Sequence, residues 1–230
     1  MSFIILNWYI ITLAFVIAYL LGSLNTAVIV TGIFTKGGDI RKMGSGNAGF
    51  TNVLRSVGKV PAILTIVCDL LKSVLAVVIG GLIFSYLSAG MPDTDAIVRV
   101  GKYLCGFFCI VGHSYPVFFK FKGGKGIVTA ASTMLVTDWR VFVMVLATFL
   151  IIFICSKIIS LASIICAALF PLYTFIMCFF IDYLILHYEL WYVFGCVATT
   201  LLISIFVIIK HSSNIKRLIN GEEKKITAKK

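Results

Sequence analysis

Groups that bind phosphate are concentrated in three short polar segments of this chain. Polar segment 1 covers residues 44–59, polar segment 2 covers residues 112–129, and polar segment 3 covers residues 211–223. Each combines glycine with hydroxyl, amide and cationic side chains. Glycine lets backbone amides approach an anion closely, and the polar side chains add hydrogen bonds and positive charge. These residue types predict binding of phosphate-bearing molecules.

Polar segment 1 begins with Gly-Ser-Gly-Asn-Ala-Gly at residues 44–49, which fits the G-x-G-x-x-G motif of dinucleotide-binding folds. That motif requires a preceding strand and a surrounding βαβ unit, whereas an apolar helical pattern precedes this segment and no strand-like alternation follows it. We therefore reject the dinucleotide-binding fold. The candidate anion-binding residues that remain are Gly44, Ser45, Gly46, Asn47, Thr51, Asn52 and Arg55. The alternative is a glycine-rich turn whose arginine faces the lipid headgroups.

Polar segment 2 contains a sequence, residues 120–126, that resembles a phosphate-binding loop. Phe119 stands where the first glycine of a Walker motif belongs, and Gly126 replaces the hydroxyl residue that would bind magnesium. A nucleoside triphosphatase is therefore not predicted. The segment still leads into an apolar helix, and free amides at a helix N-terminus favour an anion. Its candidate residues are Gly123, Gly124, Lys125 and Gly126; the alternative is a cationic loop that only orients the chain.

The three histidines provide no familiar catalytic triad. His211 and Asn214 are one helical turn apart and can face the same site, while His113 fits a capping role as well as a chemical one. No histidine is followed by aspartate at the fifth position, so the common thioester-using acyltransferase pattern is absent. The shortage of a strong base favours a reaction whose donor is already activated and whose catalysis depends on positioning and charge.

The composition indicates the class of protein that holds these polar residues in position. Of the 230 residues, 60% are hydrophobic and only 13% are charged, whereas soluble domains are about 45–50% apolar with roughly a quarter charged. We therefore predict a membrane protein, and we attribute the net charge of +11 to loops facing an anionic leaflet and not to nucleic acid. The seven cysteines lie in apolar stretches without metal-like spacing, so we expect buried thiols, no metal and no cofactor.

Apolar runs long enough to cross a bilayer, about 20 residues, predict an all-α fold. We expect a polytopic integral membrane helical bundle of about seven membrane helices, forming one domain over residues 1–230. The fourth and fifth runs are short for full crossings. The predicted spans are residues 4–33, 61–88, 97–117, 125–137, 140–156, 159–181 and 190–209.

The charges between these spans predict the orientation. With the N-terminus outside and the C-terminus cytoplasmic, the outer loops hold only three cations, Arg99, Lys102 and Arg140. The inner loops hold sixteen: Lys36, Arg41, Lys42, Arg55, Lys59, Lys120, Lys122, Lys125, Lys157, Lys210, Lys216, Arg217, Lys224, Lys225, Lys229 and Lys230. This asymmetry follows the positive-inside rule. Segments 36–60, 112–129 and 210–230 are then all cytoplasmic, and we expect them to form a single site.

Two charged residues lie inside the second predicted span. Asp69 and Lys72 are three residues apart, so they share a helix face. A charge near mid-bilayer costs about 2.5–3.5 kcal/mol to insert, and we therefore expect the two to pair. The open alternatives are a structural ion pair facing other helices and a role for Lys72 in binding an anionic substrate.

The three polar segments resemble the motifs of a known family, the bacterial acyl-phosphate-dependent glycerol-3-phosphate acyltransferases. Polar segment 1 is similar to its first motif, Gly-Ser-Gly-Asn-x-Gly-Ala-Thr-Asn-Val-Leu-Arg, and polar segment 2 to its second. Polar segment 3 is similar to the third motif, His-x-x-Asn-Ile-x-Arg-Leu-x-x-Gly-x-Glu. The departures are Phe50 in place of alanine and Ser212 where arginine is common.

The resemblance implies transfer of a fatty acyl group from acyl phosphate to the 1-hydroxyl of glycerol-3-phosphate, giving lysophosphatidic acid and phosphate. It implies a multi-pass plasma-membrane enzyme of phospholipid synthesis, with a cytoplasmic active site, membrane lipid around it and no acyl-enzyme intermediate. The catalytic residues would be Ser45, Arg55, Lys125, His211 and Asn214. The substrate-binding residues would include Ser160 and Ser163, and Glu223 would be structural, as would Asp69 and Lys72.

Within those roles, Arg55 and Lys125 would hold phosphates, and the glycine amides would support the acyl phosphate. Ser45, His211 and Asn214 would orient the hydroxyl or stabilise developing oxyanion charge. Either His211 or a substrate phosphate would accept the hydroxyl proton. Two other functions stay open: a carrier or channel for small phosphorylated anions, and an assembly factor for lipid enzymes with no activity of its own.

Overall fold

The computed structural model describes residues 2–225, which are helical throughout their regular structure and contain no strand. The end of the third predicted cytoplasmic segment, residues 226–230, lies outside the described residues. Ten α-helices are present in the described range: α1 Ser2–Gly22, α2 Thr26–Phe34, α3 Phe50–Ser56, α4 Lys59–Leu87, α5 Thr94–Ser114, α6 Ile127–Thr137, α7 Trp139–Ser156, α8 Ile159–Ile176, α9 Leu190–Lys210 and α10 Ser212–Ile219.

The all-helical membrane architecture is confirmed. Six helical segments of the described residues are long and apolar enough to cross a membrane. They are Phe3–Phe34, Lys59–Leu87, Thr94–Phe119, Trp139–Ser156, Ile159–Tyr183 and Leu190–Lys210. The remaining predicted span, 125–137, corresponds to α6, which has 11 residues and is roughly 16 Å long at 1.5 Å per residue. Six crossings are therefore supported by length, and the seventh and the orientation stay predictions.

The first predicted span is two helices, because the chain breaks between α1 and α2. Ser23 turns its hydroxyl back to the carbonyl of Tyr19 at 2.8 Å. Asn25 then caps α2, its side-chain oxygen accepting from the amide of Val28 at 3.2 Å, which satisfies an amide that would otherwise lack a partner. Because of this break, the carbonyl of Leu24 can accept a hydrogen bond from the buried side chain of Lys72, at 2.7 Å.

The chain divides into two compact units, Met1–Thr137 and Asp138–Lys230. In the first unit, α1, α4 and α5 pack against one another, and α6 packs against α4 and α5. Close approach depends on glycine: a methyl group at Gly22 would collide with the carbonyl of Cys109, and one at Gly112 with that of Tyr19. Small residues at helix contacts are how helices approach closely without a hydrophobic driving force in lipid.

In the second unit, α8 packs against both α7 and α9. The helix α8 continues as a π-helical segment, Met177–Tyr183, which carries the buried carboxylate of Asp182. Arg140 donates to Asp182 at 2.9 and 3.0 Å, and the hydroxyl of Tyr192 donates to it at 2.8 Å. These bonds tie α7, the π segment and α9 together at one end of the unit. The expectation of one domain for the whole chain stays a prediction.

Candidate active site

Polar segment 1 is organised around the buried side chain of Asn52. Its amide nitrogen lies 3.2, 2.9 and 3.0 Å from the carbonyl oxygens of Ile40, Met43 and Asn47. Its oxygen accepts from the backbone amide of Ser45 at 3.0 Å. One side chain therefore fixes the loop on both sides of Ser45, and its hydrogen-bonding capacity is used within the loop.

The two glycines flanking Ser45 permit this loop. Gly44 and Gly46 have φ of 54° and 71°, in the left-handed region that favours glycine. A methyl group at Gly44 would also collide with the side chain of Asn52. Ser45 and Arg55 are exposed. The loop therefore presents the serine outward on an ordered backbone, and α3 presents the arginine.

Polar segments 1 and 2 contact each other in the first unit. A methyl group on Gly124 would lie 2.7 Å from the carbonyl oxygen of Ala48 and would collide with the ring nitrogen Nε2 of His113. A methyl group on Gly123 would collide with the carbonyl of His113, which accepts from the amide of Gly124 at 3.1 Å. Glycine at 123 and 124 is thus required for this contact, and the expectation that these two segments meet agrees with the geometry.

Arg41, which lies just before polar segment 1, makes a further contact with polar segment 2. Its guanidinium donates to the carbonyl of Phe119 at 2.7 Å, across 78 residues of chain, and pairs with Asp39 at 2.7 Å. The hydrogen bond from Arg41 holds the pKa of Asp39 below its ordinary value. From the sequence, Arg41 could be recognised only as a cation of an inner loop, because nothing local in the sequence signals a partner so distant.

Lys125 and Gly126 follow directly in polar segment 2. Gly126 has a φ of 83°, and its carbonyl accepts from the amide of Ala130 in the first turn of α6 at 2.8 Å. Lys125 is half-buried and precedes this turn. The arrangement places a cation and the first amides of an 11-residue helix in one place, as an anion-binding site requires.

The predicted pair of Asp69 and Lys72 is present and buried, with 2.8 Å between the ammonium and the carboxylate. Lys72 also donates to the carbonyl of Leu24 at 2.7 Å and lies 3.1 Å from Nδ1 of His113. An ammonium has three donors, and these three acceptors match them. This geometry favours the structural interpretation of Lys72 over a direct contact with substrate. Through His113 the pair also supports the glycines of polar segment 2.

Polar segment 3 is organised around Glu223. Its Oε1 accepts from the hydroxyl of Ser160 at 2.8 Å and from the amide of Asn214 at 2.9 Å, and its Oε2 accepts from Arg217 at 2.6 Å. Burial raises the pKa of Glu223, but these three hydrogen bonds more than offset it and hold the pKa below its ordinary value. Glu223 therefore ties the start of α8 to α10.

The geometry of His211 defines its tautomer. Nδ1 lies 2.7 Å from the carbonyl oxygen of Val207, and because a carbonyl only accepts, Nδ1 carries the proton. In the neutral ring the lone pair is then on Nε2, which is the arrangement of a histidine able to accept a proton. His211 and Asn214 are both buried, and the backbone amide of Asn214 donates to the carbonyl of His211 at 2.8 Å.

The predicted site residues therefore fall into two groups. The first unit brings together polar segments 1 and 2, and the second unit brings Ser160, Asn214 and Glu223 together at polar segment 3. Among the other candidates, Asn47, Thr51 and Gly123 are half-buried, and Ser163 is buried one turn after Ser160. No group of three His, Cys, Asp or Glu residues suited to a metal ion occurs in residues 2–225.

Comparison with known proteins matches the chain to one family. The family model described as glycerol-3-phosphate acyltransferase matches residues 12–221. A glycerol-3-phosphate acyltransferase of Bartonella henselae is 35% identical over 93% of this chain and 90% of the relative. One of Prochlorococcus marinus is 37% identical over 93% of this chain and 96% of the relative.

Two solved structures are also similar. Both are crystal structures of PlsY (YgiH), an integral membrane glycerol 3-phosphate acyltransferase. The glycerol 3-phosphate form has a TM-score of 0.74 and 29% identity, covering 94% of this chain and 96% of that one. The lysophosphatidic acid form has a TM-score of 0.75 and 28% identity, covering 94% and 95%.

Proposed function

The chain belongs to the glycerol-3-phosphate acyltransferase family, and we propose that it acylates glycerol-3-phosphate at the 1-hydroxyl, giving lysophosphatidic acid. The acyl donor we propose is acyl phosphate, so that the second product is inorganic phosphate. The observation that supports this proposal is the contact between polar segments 1 and 2, in which Gly124 packs against the carbonyl of Ala48 and brings two glycine-rich backbones side by side. Both proposed substrates carry the phosphate group that such a surface binds.

We assign phosphate binding to Arg55 and Lys125. Arg55 presents a planar fork of donors that suits two phosphate oxygens at once. Lys125 adds a point charge beside the first turn of α6. The amides of Ser45, Gly46 and Gly124 already donate to Asn52, Met43 and His113, so we assign the further donors to other backbone amides around Gly44, Gly123 and Gly126, flanked by Asn47 and Thr51.

Asn52 supports this surface indirectly. Because its amide and oxygen are engaged by the loop, its contribution to substrate binding is to hold Ser45 and the neighbouring amides in place. Preorganised donors cost no rearrangement during the reaction. In the same way, the buried group formed by Lys72, Asp69 and His113 holds the backbone of Gly123 and Gly124 in place.

The chemistry is attack of the 1-hydroxyl oxygen on the acyl carbonyl carbon. A new ester C–O bond forms, the C–O bond to phosphate breaks, and phosphate leaves with the electron pair. The hydroxyl proton goes to Nε2 of His211 or to a phosphate oxygen. Ser45 and Asn214 orient the hydroxyl or stabilise the charge on the carbonyl oxygen, with Ser160, Ser163 and Glu223 holding the region of Asn214.

The mixed anhydride is already activated, so we propose direct transfer with no acyl-enzyme. The multi-pass membrane location follows from the helices, and we propose the plasma membrane, with the polar segments facing the cytoplasm, on the basis of the charge asymmetry.

Purified protein in detergent tests the reaction. With both acyl phosphate and glycerol-3-phosphate present it should release phosphate and form lysophosphatidic acid, and with either substrate alone it should release none. Ser45→Ala should lose most of this activity, whereas Lys59→Ala, which removes an exposed cation of the same segment, should retain it. Inactive protein that instead conducts phosphorylated anions across vesicles would identify a carrier. A trapped acyl group on Ser45 or a cysteine in a single turnover would contradict direct transfer.

A further inference from the structure

The turn that links α5 to the glycines of polar segment 2 exposes both aromatic and cationic side chains. We call residues 115–122 the basic aromatic turn. Phe118 and Phe121 are 59% and 56% exposed, and Tyr115 and Val117 are 42% and 39% exposed. Lys120 and Lys122 are exposed between and beside the two phenylalanines. An apolar patch of this kind, rimmed by cations, marks an interaction surface.

This exposure is not the result of a loosely held chain. The hydroxyl of Tyr19 donates to the carbonyl of Tyr115 at 2.9 Å, and the amide of Phe121 donates to the carbonyl of Pro116 at 3.0 Å. Arg41 holds the carbonyl of Phe119 at 2.7 Å. The turn is therefore fixed to α1, to itself and to the short helical segment Ile40–Lys42 that precedes polar segment 1.

The backbone of the turn is also unusual. Lys120 and Phe121 have φ of 57° and 56°, and residues other than glycine adopt this left-handed region at an energetic cost. The helix α5 ends at Ser114, and a short 3-10 turn, Val117–Phe119, ends at the left-handed Lys120. In this conformation the side chains of Phe118 and Phe121 lie outside the packed unit.

The position of the turn indicates that it lies at the boundary between membrane and water. The apolar helical segment that is long enough to cross a membrane ends at Phe119, so the turn lies where a membrane gives way to water. Aromatic rings with lysines beside them are the residues that bind this boundary, the rings among the upper acyl chains and the ammonium groups at the phosphates. In residues 2–225 no carboxylate pairs with Lys120 or Lys122.

We propose that the basic aromatic turn binds anionic phospholipid in the leaflet that borders it. Phe118 and Phe121 insert below the headgroups, and Lys120 and Lys122 contact the lipid phosphates and the net negative charge around them. A lysine near an anionic surface favours it by roughly fivefold in partitioning, whereas a zwitterionic headgroup offers phosphate without net charge. The turn should therefore enrich anionic lipid around itself.

This surface is distinct from the residues assigned to catalysis, and its test needs no turnover. Phe118→Trp places a fluorophore in the turn, and the native chain, with Trp8, Trp139 and Trp191, supplies the background signal to subtract. The variant is reconstituted in nanodiscs of phosphatidylcholine with a minor fraction of phosphatidylglycerol. Bromine, which quenches tryptophan on contact, is placed on the chains of one lipid or the other.

We expect brominated phosphatidylglycerol to quench the added tryptophan at least roughly fivefold more strongly per mole of lipid than brominated phosphatidylcholine, as two lysines near an anionic surface predict. Adding Lys120→Gln and Lys122→Gln, or raising the salt concentration, should remove the difference while leaving quenching itself. Lys224→Gln with Lys225→Gln, an equal loss of charge elsewhere, should preserve the difference. Tyr86→Trp, an 80% exposed site on α4, should be quenched equally by both lipids.

Two results would overturn the proposal. The first is a tryptophan at position 118 that neither brominated lipid quenches, which would place the turn in water. The second is equal quenching by both lipids that the lysine substitutions leave unchanged, which would make the contact purely apolar. Because neither measurement involves acyl transfer, an inactive protein with selective quenching would reject the proposed function and keep this inference.

Discussion

A single amide side chain sets the shape of polar segment 1. Asn52 makes hydrogen bonds to four backbone groups on the loop around Ser45, and Asn52→Ala removes all four bonds. An intramolecular hydrogen bond contributes about 0.5–1.5 kcal/mol net. We expect a loss of at least that size in the free energy of unfolding together with a fall in kcat, since Ser45 and its amide lose their fixed position.

The measurement is thermal unfolding in detergent alongside steady-state kinetics. Ser56→Ala is the matched control, because its hydroxyl lies at the longer distance of 3.4 Å from the same oxygen of Asn52, and it should change both quantities little. Wild-type kinetics for Asn52→Ala in a folded protein would show that loop order around Ser45 does not matter for the reaction.

Substitution of Arg55 tests whether this side chain binds phosphate. It is exposed, so its interaction with a phosphate is partly screened by water, and a charged hydrogen bond contributes about 1.5–3 kcal/mol. Arg55→Ala should therefore lower kcat/KM by roughly ten- to a hundredfold, mainly through a higher KM for a phosphate-bearing substrate. Lys59→Ala should have little effect, and unchanged kinetics for Arg55→Ala would remove Arg55 from the site.

Which contacts could be predicted from the sequence depended on their separation along the chain. Asp69 and Lys72 pair because three residues on a helix bring side chains to one face, so the spacing alone predicted the contact. Arg41 and Phe119 are joined across 78 residues, and no periodicity encodes that. A different limit hid the role of Asn52, whose partners are only 5 to 12 residues away. The motif suggested it as a ligand for substrate, but it hydrogen-bonds to backbone groups of its own loop, whose shape no periodicity encodes.

At the scale of elements, a carboxylate near the C-terminus holds polar segment 3 in place. Glu223 is 8% exposed in its side chain and joins Ser160 at the start of α8 to Asn214 and Arg217 on α10. The helix α10 has only eight residues, too few to be stable alone in water. Its order therefore depends on such tertiary bonds, and so does the position of Asn214.

The pKa of Glu223 makes this tether dependent on pH. Because the folded-state pKa lies below the ordinary value of 4.5, the stabilisation is fully present above pH 4.5 and is lost as the pH falls through the folded-state pKa. Glu223→Gln keeps the shape but loses the charge. We expect wild type to exceed this variant by about 1–2 kcal/mol in the free energy of unfolding near neutral pH.

Unfolding of the two proteins from pH 7 downwards checks this expectation. The difference between them should stay constant to about pH 4.5 and then shrink. Glu222→Gln, one residue away and exposed, is the control and should follow wild type throughout. A difference that is the same at all pH values would mean that shape, and not charge, makes the tether.

The helices themselves were largely predictable, because long apolar runs have few alternatives in a membrane. The exception is the predicted span 4–33, which the structure divides at Ser23 and Asn25 into α1 and α2. Ser and Asn compete for backbone hydrogen bonds and favour helix breaks, yet an apolar average over 20 residues conceals two polar side chains. The helix break also frees the carbonyl of Leu24 to accept a hydrogen bond from Lys72, and this contact was not predictable either.

At the scale of the whole molecule, the short helix α6 decides where polar segment 3 lies. Its length of roughly 16 Å is about half of the hydrocarbon thickness of about 30 Å. If α6 does not carry the chain across, the six longer helices place polar segment 3 on the opposite side from polar segments 1 and 2. The charges argue against that, because Lys210, Lys216, Arg217, Lys224 and Lys225 would then face outward.

We therefore expect the chain to cross at α6, and cysteine labelling in cells tests it. In a variant with the seven native cysteines replaced, single cysteines are placed at Lys122, at Lys224 and at Asp93. A membrane-impermeant maleimide should label position 93 in intact spheroplasts and should label positions 122 and 224 only after permeabilisation. Labelling of position 224 together with position 93 would show that α6 does not cross, and that the membrane separates polar segment 3 from polar segment 1, which would contradict the proposal of one site shared by the two segments.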